Sequence, residues 1–249
     1  MNTAEKITKW VCEQVKNANA KGVVLGLSGG LDSAVVAVLC KRAFPEDTLA
    51  VIMPCFSDEK DIRDAELIAR KFRIKTKEIP LDEIFENFLS VTGEDAGKVE
   101  SREVSVANIK PRLRMLTLYY FANKLNYLVV GTGNKSEIMV GYSTKYGDGG
   151  CDILPIGDLL KKDVRKLAHE LEIPEEIIEK TPTAGLWKGQ TDEGEMGLSY
   201  AELDDALEKI EQNKLRKVNP KILKKVQEMI RKSEHKRNLP KICILGEKQ

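Results

Sequence analysis

The sequence predicts an α/β fold: a doubly wound parallel sheet flanked by helices, followed by a helical C-terminal tail. Three observations lead there. Runs that are almost wholly apolar, at 22–28, 48–54, 126–132 and 151–158, alternate with stretches of helical periodicity. Strands this apolar are buried on both faces, as in parallel sheets covered by helices on either side. With 42 % hydrophobic and 32 % charged residues in 249, the chain carries enough apolar side chains for a core.

The elements follow in order. Ile7, Trp10, Val11 and Val15 mark a first helix, and 22–28 is a short strand. A helix over 31–44 places Val35, Val38 and Leu39 on one face, and 48–54 is the second strand. Ser57 is expected to N-cap a helix that buries Ile62, Ala65, Ile68, Ala69 and Phe72. Residues 74–81 alternate in polarity like an edge strand. A helical stretch covers about 104–124, its regular part expected from Pro111 because proline disfavours helical geometry at Lys110. Strand 126–132, a short final strand at 151–158 and helices at about 158–171 and 174–180 complete the α/β portion. In the tail, Ser199 and Glu202 form a capping box. Asn219-Pro220 opens a last helix with Ile222, Leu223, Val226, Met229 and Ile230 on one side. Segments 92–97 and 189–197 are polar and glycine-containing, and mobility is expected there. No internal repeat appears, so 1–249 is expected to form a single domain.

Composition excludes several classes. No apolar run approaches the roughly 18 residues of a membrane helix. The five cysteines (Cys12, Cys40, Cys55, Cys151, Cys243) are odd in number and lack a CxxC pair. Free thiols in a cytoplasmic protein are expected, not a disulfide framework. His169 and His235 lie near no cysteine pair, which argues against zinc. A net charge of +1, 40 basic against 39 acidic residues, disfavours a nucleic-acid partner. The charge is unevenly spread: 207–249 holds 13 Lys/Arg and 5 Asp/Glu, leaving 27 against 34 elsewhere.

The chemistry is announced after the first strand, where Ser28-Gly29-Gly30-Leu31-Asp32-Ser33 leads straight into a helix. Two glycines let the backbone approach an anion, and free N–H groups at the helix start favour negative charge. Asp32 beside a phosphate needs an intervening cation, which points to Mg²⁺. No GK[ST] or GxGxxG follows, so this is neither a Walker A loop nor a dinucleotide-binding turn.

The SGGxDS pattern resembles the loop of the ATP pyrophosphatases, which cleave ATP between the α and β phosphates. Segments 129–161, 108–115 (NIKPRLRM), 180–186 (KTPTAGL), 190–193 (QTDE) and 235–237 (HKR) resemble, in the same order, the NAD synthetases, and among them the ammonia-dependent ones. The resemblance implies an adenine nucleotide alpha-hydrolase-like fold. It also implies ATP-dependent amidation of deamido-NAD by ammonia through an adenylate, releasing AMP and pyrophosphate. By the same resemblance Asp32 and Glu137 hold Mg²⁺, and with Lys161 carry the catalytic step. ATP contacts fall on Gly26, Leu27, Ser28, Gly29, Gly30, Leu31, Asp32, Ser33, Thr132, Lys161 and Thr183. Those to deamido-NAD fall on Arg112, Lys145, Asp152, His235 and Lys236, with Arg114 an alternative to Arg112 because the two point about 200° apart on a helix. Segment 189–197 would act as a lid. A homodimer with deamido-NAD across the interface is implied as well.

Nitrogen is expected from free ammonia, with an ammonia-donating partner chain as the alternative. The loop begins at Gly26 and 13 residues follow Lys236, which leaves no room for a glutaminase domain. Two other classes stay open. One is another pyrophosphate-loop enzyme, such as the ATP pyrophosphatase part of GMP synthetase or a tRNA-thiolating enzyme. The other is a non-enzymatic nucleotide-binding domain of the universal-stress type.

Overall fold

The computed structural model describes residues 1–245 apart from 96, 99 and 100. Four parallel strands, β1 (Gly22–Gly26), β2 (Thr48–Ile52), β3 (Lys75–Glu78) and β4 (Tyr127–Val130), pair in the order β3-β2-β1-β4. In the central strand Val24 lies opposite Leu49 of β2 and Val129 of β4. The two-residue period sends alternate side chains to opposite layers. Val23 and Leu25 join a cluster with Val11 and Val15 of α1 (Thr3–Asn17), Val35 and Leu39 of α2 (Leu31–Ala43) and Val164 and Leu167 of α8 (Lys161–Glu170). Val24, Leu49 and Val51 pack on the other face against Phe85 and Leu89 of α4 (Asp82–Val91) and Phe121 of α6 (Ile109–Leu125). Each fully buried aliphatic side chain contributes about 1.5–3 kcal/mol by leaving water. A third cluster joins α7 (Lys135–Val140) to the tail helices α11 (Tyr200–Glu211) and α12 (Pro220–Lys232), through Val140, Tyr200, Leu203, Leu207 and Val226.

The order has a consequence for ligands. From β1 the chain builds outward through β2 to β3, then returns to place β4 on β1's other side. The loops leaving β1 and β4 diverge there and open a crevice at the strands' carboxyl ends.

Several expectations need correction. Segment 151–158 forms no strand, only a bridge between Val130 and Ile153. Pro155 cannot donate to a ladder, and the chain turns at Gly157, whose N–H reaches the Leu154 carbonyl. Asp58, not Ser57, caps α3 (Glu59–Lys71), accepting from the Lys60 N–H at 2.8 Å. The stretch 104–124 divides at Asn108 into α5 (Val104–Ala107) and α6. The second piece begins at Ile109, not Pro111. Proline is tolerated there because first-turn N–H groups have no helical partner to lose. Segment 189–197 is not an open loop: 192–196 form a helix, α10 (Asp192–Met196), and Gln190, Asp192 and Met196 are buried. Of the other segment expected to be mobile, 92–97, residue 96 lies outside the described residues. Both tail caps are present, at Ser199 and Asn219. All five cysteines are free, and burial pushes the Cys40, Cys55 and Cys151 thiols up to about 12, 11 and 11, too high for a nucleophilic thiolate. No described helix is long and apolar enough to cross a membrane.

Candidate active site

The crevice holds a cavity of about 570 Å³, within the range of small-molecule sites. Of the residues expected to meet ATP, all but Gly29 line it. The loop after β1 is self-braced. Ser33 Oγ donates to the Gly30 carbonyl at 2.9 Å, and Ser28 Oγ lies 3.0 Å from Ser33 Oγ. Gly29 adopts φ +76°, and a Cβ there would lie 2.2 Å from the Asp61 carbonyl oxygen. The position therefore requires glycine on both counts.

The two expected carboxylates converge. Asp32 sits in the first turn of α2 and Glu137 in that of α7, so neighbouring strands deliver them. Asn134, fully buried, ties them together. Its side-chain oxygen accepts from the Glu137 N–H at 3.0 Å as the cap of α7, and its Nδ2 donates to Asp32 Oδ1 at 3.1 Å. The Lys161 ammonium, its side chain 3 % exposed, donates to Asp32 and to Glu137 Oε1 at 3.3 Å. Burial first, then the neighbouring Asp32 charge, push the Glu137 carboxyl up to about 7. For Lys161 burial acts downward, but Asp32 and Glu137 outweigh it and raise the ammonium above its usual range. Expected at the triphosphate, Lys161 is thus seated between the carboxylates.

Whether a metal fits follows from the donor set. Among the described residues no group of three or more His, Cys, Asp or Glu is placed to cage an ion. Asp32 and Glu137 nevertheless offer hard oxygens already aimed at one cation, the Lys161 ammonium. Mg²⁺ is commonly held by one or two carboxylates completed by water and substrate phosphates, so this pair fits it.

The deamido-NAD assignments fare differently. Lys236 lines the cavity and donates to the Gly141 carbonyl at 2.7 Å. Arg112, Lys145, Asp152 and His235 do not line it. Each adjoins in sequence a residue that does: Pro111, Thr144, Cys151 and Lys236. Lys145 Nζ and His235 Nδ1 lie 3.4 Å apart, and Asp152 accepts from the Tyr119 hydroxyl at 3.0 Å and the Val129 N–H at 2.7 Å. Between the two arginines, Arg114 faces the cavity, with Nε donating to the Met53 carbonyl at 3.2 Å, while Arg112 is exposed.

The NAD synthase family profile matches residues 3–240. The chain belongs to the NAD synthase family. It is accordingly an enzyme, a ligase forming a carbon–nitrogen bond. An NH(3)-dependent NAD(+) synthetase of Carboxydothermus hydrogenoformans is 49 % identical over 97 % of this chain and 96 % of the relative. Among solved structures, an NMN synthetase from Francisella tularensis superposes with TM-score 0.88 at 38 % identity, covering 97 % of each chain. The NH3-dependent NAD synthetase of Campylobacter jejuni superposes at 0.83 with 34 % identity, over 98 % of this chain and all of the other.

Within this NAD synthase fold, the carboxylate pair has buried neighbours that the sequence did not single out, and they connect it to the 190–193 segment that the sequence did. Tyr200 is 1 % exposed, and its hydroxyl lies 3.1 Å from Glu137 Oε1 and 2.9 Å from Asp192 Oδ2. Tyr142 reaches Asp192 and Glu195 at 3.0 and 2.9 Å, and Gln190 Nε2 donates to Glu195 at 2.8 Å. A polar chain thus runs from the carboxylate pair into α10. The Ser199 cap at the start of α11 signalled a helix there, but nothing local showed where Tyr200 would point. Asn134 did carry a signal: it stands three residues before Glu137, the spacing of a capping box.

Proposed function

We propose that this chain, acting as one synthetase domain, amidates deamido-NAD to NAD with ammonia and ATP, releasing AMP and pyrophosphate. The observation that carries the reading is the meeting of a phosphate-type loop with two carboxylates and a lysine at adjacent strand ends. The nicotinate carboxylate oxygen attacks the α-phosphorus of ATP and the bond to the β-phosphate oxygen breaks. Ammonia then attacks the acyl carbon, the carbon–oxygen bond to AMP breaks, and the surplus proton passes to solvent. The loop N–H groups and the Ser28 and Ser33 hydroxyls hold the departing pyrophosphate. Mg²⁺ on Asp32 and Glu137 would neutralise phosphate charge. With that ion held by the carboxylates, the Lys161 ammonium would be free to turn to the phosphates. The α10 segment, anchored by Gln190 and Asp192, shields the activated acyl group from water. Catalysis rests on positioning and charge, with no protein nucleophile.

Deamido-NAD is assigned to Arg112, Lys145 and His235, which contact one another in turn beside the cavity, and to Asp152 and Lys236. Arg112 shares an i, i+4, i+8 stripe of α6 with Leu116 and Tyr120, 63 % and 57 % exposed. That apolar stripe supports a homodimer in which Arg112 meets substrate at the interface.

The Francisella tularensis neighbour favours a second reading, in which the mononucleotide replaces the dinucleotide. The 49 % identical relative favours the dinucleotide. Incubation with ATP, Mg²⁺ and ammonium, offering either nicotinate nucleotide, separates the two. Faster amidation of deamido-NAD, with AMP as coproduct, is expected, and glutamine in place of ammonium gives little product. ADP as coproduct, or no amide from either nucleotide, overturns the reading.

A further inference from the structure

Lys180 brings together three segments far apart in sequence. It follows α9 (Glu175–Ile178), and its ammonium donates to the Gly29 carbonyl at 3.0 Å, pairs with Asp61 at 2.7 Å and donates to Asp64. The Lys180 and Asp64 side chains are 14 % and 8 % exposed. Both aspartates lie on α3, pressed so closely against the loop that Gly29 has no room for a Cβ.

The contact fixes a peptide plane. In a trans peptide the carbonyl of one residue and the N–H of the next point in opposite directions. Drawing the Gly29 carbonyl toward Lys180 therefore turns the Gly30 N–H the other way. Gly30 and Lys180 line the cavity and Gly29 does not, and among the described residues the Gly30 N–H has only a long 3.3 Å contact to Ser28 Oγ.

We infer that Lys180 is a positioning residue of the phosphate loop: held by Asp61 and Asp64, it fixes the Gly29 carbonyl and thereby aims the Gly30 N–H at the pyrophosphate part of ATP. The alternative, direct contact between Lys180 and phosphate, conflicts with its donor count. An ammonium has three N–H bonds, and three acceptors already take them. Turning to a phosphate would also strip the buried Asp64 of its partner.

The inference rests on the phosphate-loop reading above, so the experiment separates the two. Binding of inorganic pyrophosphate with Mg²⁺ is measured calorimetrically for the parent chain, Lys180→Met, Lys180→Arg and Asp61→Asn, with melting curves alongside. Lys180→Met is expected to weaken binding on the order of tenfold or more, the worth of one charge-assisted hydrogen bond. Lys180→Arg restores part of the loss. KM for ATP rises in Lys180→Met while KM for deamido-NAD stays at the parent value. Asp61→Asn, altering a partly exposed partner, weakens binding because the lysine is held less firmly. It also carries the test alone if Lys180→Met does not fold. Unchanged affinity in Lys180→Met, tighter binding in Asp61→Asn, or an equal rise in both KM values overturns the inference. A parent chain that does not bind pyrophosphate overturns the loop reading itself, and this inference with it.

Discussion

Asp32→Asn and Glu137→Gln are each expected to lower turnover by about 10²–10³-fold or more while leaving the fold intact, the scale of losing one preorganised charge interaction at the reacting phosphate. Each change halves the carboxylate pair on which Lys161, and Mg²⁺ in the proposed mechanism, depend. The structural consequence has a definite sign. Burial and Asp32 hold the Glu137 carboxyl at about 7, against an ordinary 4.5, so the folded chain binds this proton more tightly than the unfolded chain does. Stability from that protonation is complete below pH 4.5 and is lost as pH rises through 7. Glu137→Gln, which cannot ionise, should lack this loss. It should melt no lower than the parent at pH 8, yet gain less than the parent when both are moved to pH 5. Ammonium-dependent NAD formation and melting curves at the two pH values check both halves. Near-normal turnover in either variant removes that residue from the site.

Removing the lysine should act in the opposite direction on stability. Lys161→Met leaves Asp32 and Glu137 facing each other, mostly buried, without the ammonium that now joins them. Breaking such a buried pair costs about 3 kcal/mol or more, which for a chain of this size lowers Tm by roughly 6–12 °C. Millimolar Mg²⁺ should recover part of that loss and raise the variant's Tm more than the parent's, because the ion takes the seat the ammonium held. Turnover should fall as well, because the charge that joins Asp32 and Glu137 is lost. A variant that melts with the parent in the absence of divalent cations would show that the ammonium is not the counter-ion of this pair.

What the sequence disclosed and what it hid divide along one physical line. The phosphate loop and the Ser199–Glu202 capping box are written in short local stretches, because a tight turn and a helix start are local events. The three apolar strands and the polar edge strand were legible for the same reason. Contacts made by long closure were not. Lys180 meets Gly29 across 151 positions, and Tyr200 meets Glu137 across 63. No periodicity encodes such meetings. Segment 151–158 misled because its apolar composition matches a strand, while Pro155 and the turn at Gly157 leave it a single bridge. Arg112 and Arg114 show the limit within one helix. Their angular separation was readable, but which of them faced the cavity depended on Met53 at the end of the neighbouring strand.

The proposed adenylate step is open to a direct measurement. Deamido-NAD labelled with ¹⁸O in both oxygens of the nicotinate carboxylate is converted with ATP, Mg²⁺ and ammonium, and the products are analysed by mass spectrometry. One labelled oxygen is expected in AMP, the other in the NAD amide, and none in pyrophosphate. Label in pyrophosphate, or AMP free of label while NAD forms, would contradict attack of the carboxylate on the α-phosphorus.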